Sequence, residues 1–175
     1  LDPMLLQMWE EIRAIESNIG TLIAGGFNSL NDRIKSQGVS VKDLPNPAVG
    51  DGIVDDSNAI AAKDAEAAAA GKALIVPPGT YRFAQNKTLS SRIMMLPGAR
   101  FDSAPGVTVT MQVPEAGRYQ VFGSTITITF SVSIHDVVYP EWFGAAGNGT
   151  TNDATAIQKA INVTQAMASR SILGF

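Results

Sequence analysis

The chain has no cysteine and only one histidine, His135. The lack of cysteine excludes disulfide frameworks and thiolate metal sites, because both need thiol sulfur. One histidine leaves few side chains for a zinc site or for a histidine-based catalytic triad. From these absences we expect neither a metal site nor a bound cofactor.

An excess of positive charge and long apolar runs are also missing. The chain carries 13 Lys and Arg residues against 16 Asp and Glu residues, which gives a net charge of −3 with no basic cluster. A nucleic-acid partner would need a basic surface to neutralise its phosphates. The longest apolar runs are far shorter than the ~20 residues of a membrane-spanning helix. We therefore expect no nucleic-acid partner and no insertion into a membrane.

What the chain does contain is one short motif that occurs twice. The first motif, residues 50–60, is GDGIVDDSNAI, and the second motif, residues 147–157, is GNGTTNDATAI, so they lie 97 positions apart. Each has two glycines around a small polar residue, then an acid or amide pair and an Ala-rich pattern, which predicts a turn followed by a capped helix. The predicted structural residues are Gly50, Gly52, Asp55, Asp56, Gly147, Gly149 and Asp153.

The correspondence continues beyond the helical pattern, where residues 74–76 (LIV) align with residues 171–173 (SIL). Residues 77–81 (PPGTY) follow the first of these segments, and the second motif has no counterpart to them. We expect that the chain is cut from a longer protein, a few residues into its second unit.

From Met4 to about Ser36, apolar residues recur at alternating steps of three and four, with a slip at Gly25-Gly26. This spacing predicts a helix with an apolar seam, and isoleucine at both kinds of seam position favours three or more chains over two. An alternative, in which the seam packs against the chain's own domain, stays open. The predicted oligomerisation residues are Leu5, Met8, Ile12, Ile15, Ile19, Leu22, Ile23, Phe27, Leu30 and Ile34.

The rest of the chain shows a linker, a helix and a β-rich region. Prolines predict a linker over residues 38–49, and a helix is predicted from Ser57 to Ala70, with Asp56 or Ser57 as its N-cap. Short segments rich in β-formers then alternate with Gly- and Pro-containing turns, and they fit a sandwich, a barrel or a solenoid equally well. The predicted strands are residues 73–76, 81–84, 92–96, 107–112, 119–122 and 125–134.

The first motif, its Ala-rich helix and the PPGTY segment together resemble the opening of the pectate-lyase-like right-handed parallel β-helix of bacteriophage tailspikes. Residues 138–145 (VYPEWFGA), which lead into the second motif, are similar to the entry to the main β-helix in that family. The resemblance covers about residues 48–84 and 137–175. The second motif departs from the family pattern by having Asn148 and Asn152 where aspartate is usual.

The resemblance implies a mainly β fold with an N-terminal α-helical coiled-coil stem and a small β domain leading into the start of a right-handed parallel β-helix with a capping helix. The expected domains are a trimerisation and virion-anchoring stem (4–37), a linker (38–49), the capping helix with the small β domain (50–136), and the truncated start of the main β-helix (137–175). The capping helix would cover the open strand edge, with Ala61, Ala62, Ala65 and Ala69 as candidate contacts.

The resemblance also implies a function and a location. The chain is expected to be a homotrimer in the virion tail, bound to phage tail or baseplate proteins through its stem. Host surface polysaccharide would be bound and degraded by a C-terminal part that this chain lacks, so no enzymatic activity is expected here. The alternatives are the N-terminal part of a monomeric secreted polysaccharide lyase or glycosidase, and a bacterial adhesin.

Two groups of side chains raise the question of chemistry. Asp51, Asp55 and Asp56 could form a catalytic carboxylate pair or a calcium loop. Neighbouring residues seldom point into one cleft, and the closing glutamate of a calcium loop is missing, so capping and turn roles are favoured. Residues 141–143 (EWF) could form an aromatic platform for a sugar, but a plug between two β units is favoured.

Overall fold

The computed structural model of the chain describes residues 38–131 and 137–167, together with Gln7, Glu10 and Glu11, which are helical and exposed. The chain divides into two compact units, residues 1–37 and residues 38–175. The second unit contains all of the strands and helices that follow.

Nine short strands in the described part of the second unit form three parallel sheets of three strands each. The first sheet has the order β1-β3-β6, the second β2-β4-β7 and the third β5-β8-β9. The strands are β1 (Gly38–Ser40), β2 (Asp51–Asp55), β3 (Ala73–Val76), β4 (Gly79–Phe83), β5 (Lys87–Thr88), β6 (Arg92–Met95), β7 (Ala99–Ser103), β8 (Thr108–Met111) and β9 (Thr127–Phe130).

Successive strands visit the three sheets in turn, so the chain winds as a parallel coil. Strands β3, β4 and β5 are followed by β6, β7 and β8, which pair with them in the same order. Ala73 lies opposite Arg92 and Gly79 opposite Ala99, so one turn takes about 20 residues. Single bridges from Met94 to Glu115 and from Phe101 to Phe122, followed by β9, add a further layer.

Alternate side chains of the strands fill the interior of the coil, because successive residues of a strand point to opposite faces. Tyr81, Phe83 and Phe101 are fully buried. The ring of Phe101 meets those of Tyr81 and Phe83 edge to face, with centroids 6.3 and 5.1 Å away. Stacked turns therefore share one continuous aromatic core.

Two α-helices and one short 3-10 helix lie outside the strands in the described part of the second unit. Helix α1 (Ser57–Ala69) lies against β1, β3 and β5, whereas helix α2 (Ala154–Met167) lies against β9 and the 3-10 helix Pro140–Phe143. Alanine is the best helix former, and the helix ends before Gly71, whose positive φ of 62° suits glycine. The predicted start and end of α1 thus agree with the structure to within one residue.

The face that α1 buries differs from the predicted one. Ala62, Ala65 and Ala69 are exposed, whereas Lys63 and Asp64 are buried on the side of the coil. The buried face also includes Ile60 and Ala67, both 0% exposed, so it is rotated away from the predicted alanines and combines apolar with polar contacts. Composition alone therefore identified the helix but not its contact face.

Asp64 anchors α1 to the loop after β5. Its carboxylate accepts hydrogen bonds from the Ser91 hydroxyl at 2.6 Å, from Ser91 N at 3.0 Å and from Ser90 N at 2.8 Å. Neighbouring Lys63 pairs with Glu66 at 2.9 Å. A buried charge is tolerated only when it is hydrogen-bonded or paired, and both conditions hold for this helix.

The predicted fold class is wrong. The described part of the second unit contains two α-helices and three small parallel sheets, and no long coiled-coil stem is seen among the described residues. Heptad spacing indicates an amphipathic helix, but most helical stability in proteins comes from what packs against the apolar face. The seam residues lie outside the described residues: Leu5, Met8, Ile12, Ile15, Ile19, Leu22, Ile23, Phe27, Leu30 and Ile34.

The β region also differs from the expected arrangement. The strands between the two motifs were expected to form a small β domain ahead of a parallel β-helix, yet they are themselves stacked in parallel layers. Strand β1 (Gly38–Ser40) falls inside the predicted linker, and Val39 and Val41 are buried. The predicted strand 125–134 is observed as Thr127–Phe130, with residues 132–136 outside the described part.

Candidate functional site

The first motif is a closed loop held by Asp56. Its carboxylate accepts hydrogen bonds from Val49 N at 2.6 Å and from Gly50 N at 3.0 Å. Asp56 occupies the N-cap position of α1, but its side chain makes no hydrogen bond to the helix. The carboxylate therefore closes the loop that leads into the helix, and the predicted capping role is replaced by this one.

The second motif closes in the same way. Asp153 accepts hydrogen bonds from Ala146 N at 2.9 Å and from Gly147 N at 2.8 Å. These residues lie 97 positions after Asp56, Val49 and Gly50. The sequence repeat is thus also a repeat of structure.

Two further acceptors recur at the same offset. Asp51 Oδ1 accepts from the backbone N–H groups two and three residues later at 2.8 and 2.9 Å, and Asn148 Oδ1 does so at 3.1 and 2.8 Å. Asp55 Oδ1 accepts from Ser57 N at 3.0 Å, and Asn152 Oδ1 accepts from Ala154 N at 3.0 Å. Because an amide oxygen accepts the same bonds as a carboxylate, asparagine suits these two positions.

Four glycines shape the backbone of the two loops. Gly50 and Gly52 have φ values of 67° and 77°, and Gly147 and Gly149 have values of 61° and 73°. All four lie in the left-handed region, which costs other residues about 1–2 kcal/mol. The predicted structural glycines therefore have a direct backbone role in both motifs.

Asp55 does more than its sequence position suggested, because it also binds the next turn of the coil. Its Oδ1 accepts from Ala84 N at 3.1 Å, just after β4, and from the Ser57 hydroxyl. Ser57 Oγ itself accepts from Ala84 N at 2.9 Å. The partner lies 29 residues away, so no local pattern indicates this contact.

The hydrogen bonds set the protonation of these acids. Bonds from Val54 N and Ile53 N lower the pKa of Asp51, and bonds from Ala146 N and Gly147 N lower the pKa of Asp153. Burial raises the pKa of Asp55, but hydrogen bonds, first from Ser57, outweigh it and leave a net lowering. All three carboxylates are thereby held in the charged, accepting form.

The two loops differ in what covers them. The ring of Tyr81, in β4, lies on the first loop: a Cβ added to Gly50 would be 2.8 Å from Tyr81 Cε1, and Lys42 Nζ lies 5.2 Å from the ring centroid. Burial and the charge of Asp56 raise the pKa of Tyr81 to about 12. Asp56 itself is only 1% exposed.

Beside the second loop the corresponding space is open. A Cβ added to Gly147 would meet nothing within 4 Å. A cavity of about 290 Å³ lies there, lined among others by Tyr139, Gly147 and Asp153. Each of these three residues lies 97 positions after a residue that neighbours Tyr81 in the first motif, namely Lys42, Gly50 and Asp56 in that order. The cavity is therefore the equivalent of the space that Tyr81 fills in the first motif.

Residues 141–143 contribute mainly to the packing between the coil and α2. Trp142 is 1% exposed, donates its indole N–H to Gly117 O at 2.8 Å and accepts at its backbone oxygen from Phe122 N at 2.9 Å. Phe143 packs on Phe122 with ring centroids 5.2 Å apart. The structure thus buries the tryptophan that the sugar-platform hypothesis would need at the surface.

The acids of the first motif do not converge on a shared cleft. Asp51 and Asp56 accept hydrogen bonds from their own loop, and Asp55 accepts from the helix start and the next turn. Among the described residues, no group of three His, Cys, Asp or Glu side chains is placed to hold a metal ion. His135 lies outside the described residues.

Comparisons with family models, with curated proteins and with solved structures give no match for this chain. The likeness to tailspikes therefore depends on the motif residues themselves. A search of the described part for a helix long and apolar enough to cross a membrane finds none.

Proposed function

We propose that this chain is the N-terminal structural part of a bacteriophage tailspike. Three copies would associate and attach a polysaccharide-binding and polysaccharide-degrading β-solenoid to phage tail or baseplate proteins. The observation that carries the proposal is the order of elements: a closed loop and helix, a parallel coil, and then the same closed loop and helix again.

The first motif supports this proposal through what its helix does. Helix α1 lies against β1 and β3 at the beginning of the first sheet. An open sheet edge exposes unpaired N–H and C=O groups, and proteins commonly cover it with a helix. A second motif with the same hydrogen bonds is consistent with the beginning of a second coil, which would be the body of the tailspike.

The association of three chains is the first part of the proposal to test. Sedimentation equilibrium of the full chain tests it directly. A trimer has three times the 18.4 kDa mass of one chain, and a stable monomer would contradict the tailspike proposal. A monomer is also the result expected of the alternative, a secreted polysaccharide lyase or glycosidase.

The structural role has a separate test. In the proposal the reaction belongs to residues that this chain lacks, so the chain is expected to leave capsular and O-antigen polysaccharides intact. Incubation with a panel of these polysaccharides, followed by size-exclusion chromatography of the sugar, measures this. Depolymerisation by the purified chain, abolished in an Asp55→Asn variant, would contradict the proposal.

A further inference from the structure

Helix α2 has two apolar rows, although the coil covers only one of them. The first row is buried and consists of Ala156, Ala160, Val163 and Met167. The second row consists of Ile157 and Ile161, which are 43% and 42% exposed. A surface helix with one apolar row normally has polar residues on its other faces. Because Ile157 and Ile161 are apolar and exposed, this second row lacks a partner in the described part.

The first motif shows what covers the equivalent position there. Ile157 follows Ile60 by 97 positions, and Ile60 is 0% exposed. Helix α1 is in contact with β3, the strand that comes directly after it. Ile60 shares one buried core with Leu74 and Val76 of that strand.

The residues that follow α2 resemble β3 in their spacing from the motif and in their apolar residues. Residues 170–173 stand 97 positions after β3 and include Ile172 and Leu173. The number of residues between the motif and this segment is also the same. Residues 168–175 lie outside the described residues, so their sequence and their distance from α2 are what identify them as the occupant.

We infer that the exposed row of Ile157 and Ile161 is a docking surface for residues 170–173 of the same chain, with Leu173 at the position that Val76 takes against α1. Helix α2 would then lie between two coils, its first row on the described coil and its second row on the next one. The inference rests on the proposed function only in taking the second motif as the beginning of a further coil.

Cysteine labelling tests this docking, because the chain has no cysteine of its own. Single variants Ile157→Cys and Gln158→Cys place a thiol on neighbouring, exposed positions of α2. If residues 170–173 cover the apolar row, we expect the thiol at position 157 to react with iodoacetamide about tenfold more slowly than the thiol at 158, because labelling then requires local opening. Ile161→Cys repeats the test should Ile157→Cys fail to fold.

A second pair of variants identifies the occupant. We add Ile172→Ser and Leu173→Ser to each cysteine variant. The labelling rate of the thiol at position 157 is then expected to rise to that at 158, and the labelling rate of the Gln158→Cys control is expected to stay unchanged. Equal rates at 157 and 158 in the unmodified background would overturn the inference. Protection that survives the serine changes would also overturn it, and if it grew with protein concentration it would indicate another copy of the chain. Sedimentation reports on the proposed trimer independently of these rates.

Discussion

The two motifs make the same hydrogen bonds at positions 97 residues apart, yet the closing aspartate is buried in the first motif and partly exposed in the second. Asp56 is 1% exposed and closes the loop on which the Tyr81 ring lies, whereas its equivalent Asp153 lines a cavity. The loops therefore form from their own residues, whereas the burial of the closing aspartate depends on what packs beside the loop. The difference also predicts that identical substitutions in the two motifs will have unequal effects.

The largest difference is expected for the closing aspartates. Asp56→Ala would remove a 1% exposed carboxylate that accepts from two part-buried N–H groups, those of Val49 and Gly50, at a cost of about 1–3 kcal/mol. Asp153→Ala removes the same bonds where water can replace them, so its loss should be clearly smaller. Urea unfolding of both variants measures the difference. Equal losses in the free energy of unfolding would show that the burial of the closing aspartate does not affect its contribution to stability.

Replacement of the first glycine sharpens the same comparison. Gly50→Ala must accept a left-handed φ and also place its Cβ against the Tyr81 ring, for a loss of about 3 kcal/mol in the free energy of unfolding. Gly147→Ala carries only the backbone penalty, about 1 kcal/mol. Thermal unfolding measures both. A Gly147→Ala variant as damaged as Gly50→Ala would mean that the second loop is covered in solution.

Alkaline pH tests the burial of Tyr81 beside Asp56. The pKa of Tyr81 is raised from 10.0 to about 12, so the folded state keeps its proton longer than the unfolded state does. The stabilisation is complete below pH 10 and is lost as the pH rises towards 12. By pH 11 the free energy of unfolding should have fallen by about 1 kcal/mol.

Tyr81→Phe is the matched control for this pH dependence. The variant loses the hydrogen bond from the hydroxyl to Pro77 O at every pH, but it should lack the additional loss between pH 8 and pH 11. Urea unfolding at these two values measures the slope. An unchanged slope in the variant would assign the alkaline loss to other groups.

The smallest effect is expected when the turn acceptors are exchanged. Asp51→Asn and Asn148→Asp each keep an oxygen that accepts the same two backbone bonds, so at pH 7 both should stay within the range of ordinary surface substitutions. In acid they should differ. Because these bonds lower the pKa of Asp51, its contribution is present above 3.8 and is lost as the pH falls further, and Asp51→Asn should remove that loss.

Sequence reasoning was most successful where the cause is local. The glycines, the loop acceptors and the bounds of α1 depend on residues within a few positions of one another, so a single motif indicates them. Four of the predicted strands, those beginning near residues 73, 81, 92 and 107, also agree with observed ones to within a few residues. Strands β1, β2, β5 and β7 were missed, and Phe122 makes only a single bridge where a strand was predicted.

The anchoring of α1 shows why the rest could not be predicted. Asp64 is one charged residue in an Ala-rich helix, and its partners Ser90 and Ser91 lie 26 and 27 residues away. Asp55 likewise reaches Ala84 across 29 positions. Contacts of this kind exist only after the coil has stacked, and helical periodicity carries no information about them.

The amino-acid sequence by itself determined that two loops would close and that each would lead into a helix, because the acceptors, the donors and the left-handed glycines are all within reach of one another along the chain. Only the tertiary structure decided which closing aspartate is buried, which face of each helix meets the coil and in which sheet each strand lies. Those outcomes depend on parallel pairing between residues about 20 positions apart, and pairing at that distance is set by the packing of the whole core rather than by any local pattern.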